Sequence, residues 1–304
     1  MFLLKGLAMF KRIITILLLL YTSVVFSKEV ITVIYAFSPS DTTANYSRML
    51  LIEANNIQNK YTFIFDAKPG AGGTLAANFV SNTPNTILHH STAYFVRPNI
   101  FPNESWDLSQ FKEEFVHCEA PLVVASAKYK SWKDINNKIV TIGISGLGVT
   151  THLMAVQLKK KYPNLNIIPF KSTTDAMMSM LSGNTDLAIG FAGEVKNWEG
   201  KMTALGITGQ RSYPNFPTLV SQGHHTVFGG MVVGQHYVVP TNWPDDKARE
   251  IYNIFNQASK STVVTDSYRD DFCTPLPTDY KDLPKFYDAK TEYWKKLSIG
   301  IKVE

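Results

Sequence analysis

Residues 68–78 read KPGAGGTLAAN, and this stretch decides the fold because it lies between an apolar run that ends at Ala67 and a helical pattern that continues through Phe79. Pro69 fixes one backbone angle, and three glycines within four residues allow positive φ and a close approach to the backbone. Where such a loop opens into a helix, the first-turn amides have no internal partner and attract an anion. The stretch therefore predicts a strand–loop–helix unit that is either a bare tight turn or a site for a carboxylate or phosphate.

The N-terminal segment is typical of a secretory signal. Lys5, Lys11 and Arg12 precede an apolar run at residues 13–21 that is too short to span a bilayer, and small residues follow up to Ser27. We expect residues 1–27 to be a secretory signal cleaved near Ser27, and favour this over a membrane anchor. Their removal lowers the formal net charge from +5 to +2, and this near balance argues against nucleic-acid binding.

Two β-α-β-α-β patterns follow one another along the mature chain. Strands are predicted at residues 30–37, 61–65 and 86–91 and again at residues 138–144, 166–170 and 186–191, with helical patterns between them. A polar, proline-containing passage at residues 97–114 follows the first pattern. Strands and helices that alternate in this way predict parallel sheets with right-handed crossovers.

Two further strands are predicted to carry the chain between the two units. Residues 120–125 would lead out of the first unit, and residues 234–240 would lead back to it, ahead of helical patterns at residues 245–260 and 281–297. The sequence thus predicts an α/β fold of two lobes with a central cleft and a hinge, each lobe having a parallel-rich sheet flanked by helices. The first lobe would comprise residues 28–122 and 236–304, and the second residues 123–235.

The loops at the carboxyl ends of the predicted strands consist mainly of Ser, Thr, Gly and Lys. Ligands of open parallel sheets bind at these ends, next to helix N-termini, so lobes that face each other would form one cleft suited to a small acidic ligand. Lys68 and Lys171 follow the second strand of each unit and would either attract that ligand or remain solvated at the strand ends.

Four motifs resemble those of the extracytoplasmic receptors of tripartite tricarboxylate transporters, also called Bug-type receptors. The glycine loop matches the family's Pro-Gly-Ala-Gly-Gly, and residues 145–153, SGLGVTTHL, are similar to its Ser-x-Gly-x-Gly-Ser-x-His-Leu. Residues 169–172, PFKS, resemble Pro-Tyr-Lys-Gly, and residues 211–219, RSYPNFPTL, resemble Arg-Ser-x-x-x-Pro-x-x-Pro-Thr. The resemblance spans nearly all of the mature chain.

This resemblance implies a type II-like periplasmic binding protein that closes on a small carboxylate and delivers it to membrane permease subunits. It implies a receptor and not an enzyme, and we expect a monomer without cofactor or metal. The resemblance and the strand-end loops together predict these ligand-binding residues: Ser38, Ser40, Asp41, Thr42, Thr43, Gly70, Ala71, Gly72, Gly73, Thr74, Ser91, Ser145, Gly148, Val149, Thr150, Thr151, Phe170, Lys171 and Ala192.

The first of these loops departs from the family pattern. The family usually has Phe-Pro-Ala-Gly-Gly-x-Thr-Asp, whereas residues 37–44 read FSPSDTTA, which lacks both glycines and gains Asp41. An acid in the cleft would repel a carboxylate unless it caps its own helix or contacts a ligand ammonium group. We favour capping and keep the ammonium contact as the alternative.

Other residue types leave further alternatives open. Cys118 and Cys273 are the only cysteines, and they would either pair after export or remain buried and unpaired. His89 and His90 are poorly placed to chelate one ion, because adjacent strand residues point to opposite faces.

Three other functions compete with a transport receptor. A serine hydrolase is disfavoured because residues 143–147, GISGL, lack the second glycine of the nucleophile elbow. Dinucleotide binding is disfavoured because no third glycine follows Gly148 at the required spacing. A receptor that reports to a signalling partner would need the same ligand-dependent closure, so the sequence does not separate it from a transport receptor.

Overall fold

The structure is a computed structural model that describes residues 27–198, 200–270, 272–276 and 278–301. The predicted signal segment, apart from Ser27, lies outside these residues. None of the described helices is long and apolar enough to cross a membrane.

The strands of the described chain form one curled, mixed sheet with helices packed on its faces. The strands are β1 (Glu29–Tyr35), β2 (Tyr61–Ala67), β3 (Thr86–Ser91), β4 (Phe111–Ser126), β5 (Val140–Ile144), β6 (Leu165–Pro169), β7 (Leu187–Phe191), β8 (Thr203–Ile207), β9 (Val232–Pro240) and β10 (Thr274–Pro275). The helices are α1 (Thr42–Asn56), α2 (Thr74–Ser81), α3 (Ala93–Ile100), α4 (Thr150–Lys159), α5 (Thr173–Leu181), α6 (Ala192–Asn197), α7 (Asp245–Ala258), α8 (Thr262–Asp270) and α9 (Leu283–Ser298).

Each predicted β-α-β-α-β unit forms a parallel core. Strand β1 pairs in parallel with β2 and β3, and β5 pairs in parallel with β6 and β7. The full strand order is β2-β1-β3-β9-β4-β7-β5-β6, with β8 and β10 also paired to β4. This arrangement confirms the predicted α/β, two-lobe architecture.

Strand β4 belongs to both halves of the sheet. Its first part pairs antiparallel with β9 as far as Pro121, and its last part, from Leu122, pairs antiparallel with β7. The apolar residues of this last part are fully buried. The two parallel cores are therefore joined by antiparallel strands and share one long strand.

The passage at residues 97–126 differs from its prediction. Helix α3 extends to Ile100 although it contains Pro98, and β4 begins at Phe111 instead of residue 120. Charged residues such as Lys112 and Glu113 made this part of the chain resemble a loop. They lie on a strand in which every residue from Glu114 to Cys118 is buried, so tertiary burial outweighed the local polarity.

The C-terminal helices pack on the first parallel core, as predicted. Helix α7 contacts α1, and α9 contacts α3 and β4. Trp294 of α9 is 1% exposed and is among the largest buried side chains. A disulfide between Cys118 of β4 and Cys273, with Cα atoms 5.6 Å apart, attaches the segment before β10 to the same half of the sheet. Of the two alternatives for these cysteines, the structure has the pair.

Candidate functional site

A cavity lies between the two halves of the sheet, at the carboxyl ends of their parallel strands. Its first wall is formed by Tyr35, Phe37, Asp41, Thr43 and Ser91. Its second wall is formed by Ser145, Val149, Thr150, Thr151, Thr173 and Phe191. Leu122 of β4 and Val233 of β9 close it where the connecting strands pass. This is the position expected for a ligand site in an open α/β sheet.

The first wall is held by the turn between β1 and α1. The hydroxyl groups of Tyr35 and Thr43 hydrogen-bond to each other across this turn. Burial, followed by the nearby charge of Asp41, raises the pKa of Tyr35 well above its usual value. Tyr35 therefore stays neutral and keeps the start of α1 against the end of β1.

The second wall is built around the N-terminus of α4. Val149 is its N-cap in an extended conformation, and the Thr151 hydroxyl contacts the Ser145 amide at 3.1 Å and the Ser145 hydroxyl at 2.9 Å. The Thr150 hydroxyl is buried and has no hydrogen-bond partner. Since first-turn amides have no intrahelical acceptor, this helix end offers unused donors to the cavity.

Asp41 occupies the N-cap position of α1 but its side chain does not cap the helix. The favoured sequence prediction for Asp41 was therefore wrong. The carboxyl is 5% exposed, and its Oδ1 atom has no hydrogen-bond partner. Burial, together with repulsion from Glu194 and Asp175, raises the pKa of Asp41 to about 8.

Glu194 lies near Asp41 in the second half of the molecule, in α6. Its Oε1 accepts hydrogen bonds from the hydroxyls of Thr173, at 2.9 Å, and Thr174, at 3.1 Å. Its Oε2 accepts the Phe191 amide at 2.9 Å, which completes the start of α6. This carboxylate has a structural role that the sequence analysis missed.

The glycine loop packs beside the cavity and not in its wall. Gly72 has φ of 60° and faces Arg97, and a Cβ atom at Gly72 would lie 2.8 Å from the Arg97 Nη1 atom. A Cβ atom at Gly73 would overlap the His90 ring. The loop leads into α2 as predicted, and its glycines are required here because two side chains lie against its backbone.

Arg97 connects this loop to the second half of the molecule. Its Nε donates to the Thr74 hydroxyl at 3.2 Å, and its Nη1 donates to the Leu147 carbonyl at 3.1 Å. A Cβ atom at Gly148 would lie 3.2 Å from the same Nη1, so Gly72 and Gly148 face one guanidinium group. Arg97 is 6% exposed, and burial lowers its pKa. The sequence analysis missed this residue, which opens the polar, proline-containing passage at residues 97–114.

The predicted ligand-binding residues divide into two groups in the structure. Seven of them line the cavity: Asp41, Thr43, Ser91, Ser145, Val149, Thr150 and Thr151. The others lie outside its wall: Ser38, Ser40, Thr42, Gly70, Ala71, Gly72, Gly73, Thr74, Gly148, Phe170, Lys171 and Ala192. Ser38 and Ser40 bond to each other on the surface at 2.8 Å, and Lys171 is exposed.

Six cavity residues were absent from the sequence prediction: Tyr35, Phe37, Leu122, Thr173, Phe191 and Val233. Tyr35 and Phe191 end a strand and Phe37 lies two residues after one, so for these three residues the position at the carboxyl edge was a usable signal. Leu122 lies on the first strand predicted to connect the two units, and Val233 lies on β9, which begins two residues before the second predicted strand. Their side chains face the cavity only because β4 and β9 run side by side.

The free space in the cavity is about 30 Å³. This volume accommodates one or two water molecules and no metabolite. The two walls are therefore in contact in this conformation, and a ligand requires them to separate.

The described residues of the site lack the arrangements that a serine hydrolase or a metal site needs. The Ser145 hydroxyl contacts Thr151 and not a histidine base. In the described part of the chain, no three His, Cys, Asp or Glu side chains gather where they could hold a metal ion.

The chain matches one known protein family. The profile of the tripartite tricarboxylate transporter family receptor, TctC, matches residues 51–302. A comparison with curated proteins finds no match.

Solved structures share the fold. The periplasmic binding protein BugD is 18% identical, with a TM-score of 0.80 over 89% of this chain and 97% of BugD. MatC from Rhodopseudomonas palustris with bound malate is 15% identical, with a TM-score of 0.77 over 89% of this chain and 99% of MatC. An R. palustris protein with adipate is 18% identical, with a TM-score of 0.75 over 90% of this chain and 96% of that protein. At these identities the likeness shows the fold alone.

Proposed function

Because the chain belongs to the tripartite tricarboxylate transporter receptor family, we propose that it captures a small carboxylate in the cavity between its lobes and delivers it to the membrane subunits of such a transporter. Receptors of this family are binding proteins and not enzymes. The proposal places the mature protein in the periplasm after cleavage near Ser27, working as a monomer without a cofactor. MatC and the adipate-bound protein, which share the fold, hold dicarboxylates.

One observation carries the proposal: hydroxyl groups and a helix N-terminus converge on the cavity from both lobes. The Thr150 hydroxyl is buried without a partner, although burying an unused hydroxyl costs about 1–3 kcal/mol. Thr150 is also the first residue of α4, where free amides and the helix dipole favour a negative charge. A ligand carboxylate would satisfy the hydroxyl and the amides together.

Capture requires the lobes to move apart and close again. We place the hinge at the two connecting strands, where β4 leaves its pairing with β9 after Pro121 and where β9 begins at Val232. The predicted lobes, residues 28–122 with 236–304 and residues 123–235, would then rotate as units. Leu122 and Val233 line the cavity at this point, so closure and cavity shape are coupled.

Thr150→Val is the sharpest test of the site. The substitution keeps the shape of the side chain and removes only the unpartnered hydroxyl. A panel of small carboxylates is first screened for the one that binds the wild type most tightly. We expect the affinity for this carboxylate to fall at least tenfold, while the melting temperature of the empty protein stays equal or rises. Calorimetric titration measures the affinity, and thermal unfolding with and without ligand measures the stabilisation.

Thr226→Val provides the matched control, because Thr226 is an exposed threonine outside the cavity. It should leave the affinity unchanged. Equal affinity in the wild type and Thr150→Val would remove the α4 N-terminus from the site. Failure of every carboxylate in the panel to bind the wild type would refute the proposed function.

A further inference from the structure

Asp41 is an acid buried in a cavity proposed to receive an acid. It is 5% exposed, lines the first wall, and has an Oδ1 atom without a hydrogen-bond partner. Its side chain makes no capping bond to α1, which would have accounted for its burial. Buried carboxyl oxygens in folded proteins nearly always have a partner, so an unused oxygen facing a cavity indicates a missing donor.

The groups around Asp41 leave its Oδ1 atom without a donor. Glu194 of α6 and Asp175 of α5 repel its charge, and the Tyr35 hydroxyl of β1 is bonded to Thr43. The hydroxyls of Ser172 and Thr174 stabilise the charged carboxylate only in part. The thirteen residues that line the cavity include no lysine, arginine or histidine. The cavity therefore carries an acid that no cation in its wall balances.

We propose that the missing donor is an ammonium group of the ligand, so that the captured solute is an amino acid or another amino carboxylic acid and not a plain carboxylate. This inference rests on the proposed function. The ammonium group binds Asp41 on the first wall, while the carboxylate binds the N-terminus of α4 on the second. One ligand then contacts both lobes with opposite charges, which favours the closed form.

The protonation state of Asp41 in the empty site predicts whether ligand binding releases a proton. In the empty protein, burial and the neighbouring acids raise the pKa of Asp41 to about 8, so the carboxyl is largely protonated at pH 7. An ammonium group beside Asp41 stabilises the carboxylate and lowers this pKa. Binding therefore releases close to one proton from Asp41 to the buffer at pH 7. A plain carboxylate, which repels the charged form, keeps the proton in place.

The experiment compares ligands that differ only in the ammonium group. Calorimetric titrations at pH 7 use aspartate with succinate, glutamate with glutarate, and leucine with 4-methylpentanoate. We expect the amino member of at least one pair to bind at least tenfold more tightly than its partner. Repeating the titration in two buffers of different ionisation enthalpy should give the release of nearly one proton.

Asp41→Asn tests whether Asp41 makes this choice. We expect the preference for the amino member to fall below twofold and the proton release to disappear, while circular dichroism stays unchanged. Asp175→Asn is the matched control, because Asp175 is an exposed acid that acts on Asp41 only through space. It should keep both the preference and the proton release.

Each outcome decides between the two proposals. Equal or tighter binding of the plain carboxylates would overturn the ammonium site and leave the carboxylate receptor intact. An amino preference that persists in Asp41→Asn, or wild-type binding without proton release, would also overturn the role of Asp41. If no member of any pair binds, the proposed function and this inference both fail.

Discussion

Acid should destabilise this protein through histidines buried in β3. His90 is fully buried, and its ring lies against Phe37 and Trp106, with ring centres 5.1 and 4.9 Å away. Its Nδ1 donates to the Ser91 carbonyl at 3.0 Å, and its Nε2 has no partner. Burial lowers the pKa of His90 to about 3, so the ring stays neutral in the folded protein.

The sign and the size of the effect follow from this shift. In the unfolded chain a histidine titrates near pH 6.5, so between pH 6.5 and 3 the unfolded form binds one proton more than the folded form. The free energy of unfolding therefore falls as the pH falls through this window. At pH 5.0 the loss from His90 alone is about 2 kcal/mol relative to pH 7.5.

Other groups titrate in the same range, so the test uses a double difference. His89 also has a pKa lowered to about 3, mainly by burial, and adds a loss of the same sign. Asp41, with its raised pKa, acts in the opposite direction, because the folded form holds its proton more tightly. Comparing the wild type with His90→Asn at each pH cancels these contributions. Asparagine places an N–H donor near the position of Nδ1 and does not titrate.

The assay is urea unfolding followed by circular dichroism at four pH values from 7.5 to 5.0. We expect His90→Asn to be less stable than the wild type at pH 7.5, and to lose about 2 kcal/mol less between pH 7.5 and 5.0. His225→Asn is the control, because it replaces an exposed histidine. Parallel pH profiles for the wild type and His90→Asn would refute the reasoning.

Three further predictions follow from the structure. The disulfide closes a loop with a sequence separation of 155 residues. Replacing Cys118 and Cys273 by alanine should therefore lower the free energy of unfolding by up to about 5 kcal/mol in urea titrations. An unchanged urea midpoint would show that the bond is absent or that the unfolded chain is already compact. Arg97→Met removes a charged hydrogen bond worth roughly 1.5–3 kcal/mol between the lobes. The open form of the ligand-free protein should therefore be favoured at least tenfold more in the variant than in the wild type, with a larger radius of gyration in small-angle scattering. An identical scattering curve would contradict an inter-lobe role. Asp41→Asn should stabilise the empty protein, because only the wild type has to keep a buried acid protonated. The difference in free energy of unfolding between the variant and the wild type should grow by about 1.4 kcal/mol per pH unit between pH 5 and 7.5. A constant or shrinking difference would mean that the Asp41 pKa is not raised.

The sequence by itself determined the order of elements. Alternating apolar runs and helical patterns predicted the six strands of the two parallel cores within a few residues, because periodicity is a local property of the chain. The glycine loop was likewise readable, since positive φ and a following helix are local requirements. Motifs spread along the chain were sufficient for the family resemblance.

The prediction failed where the surroundings of a residue matter more than its neighbours in sequence. Residues 111–119 have a polar pattern, yet they form a strand because β9 and two helices cover them. The glycine loop had the composition of an anion site, yet the structure places Arg97 and His90 against its backbone. Neither Arg97 nor His90 is close to the glycine loop in sequence.

The cavity itself was decided by the tertiary structure alone. Strand-end positions limited the candidates, but whether Thr150 faces solvent, a neighbour or the cavity depends on how the two halves of the sheet meet at β4. The same holds for Asp41, whose residue type suggested a helix cap, and for the cysteines, which lie far apart in sequence. Burial, charge repulsion and loop closure act through space, so they become defined only when distant segments pack together.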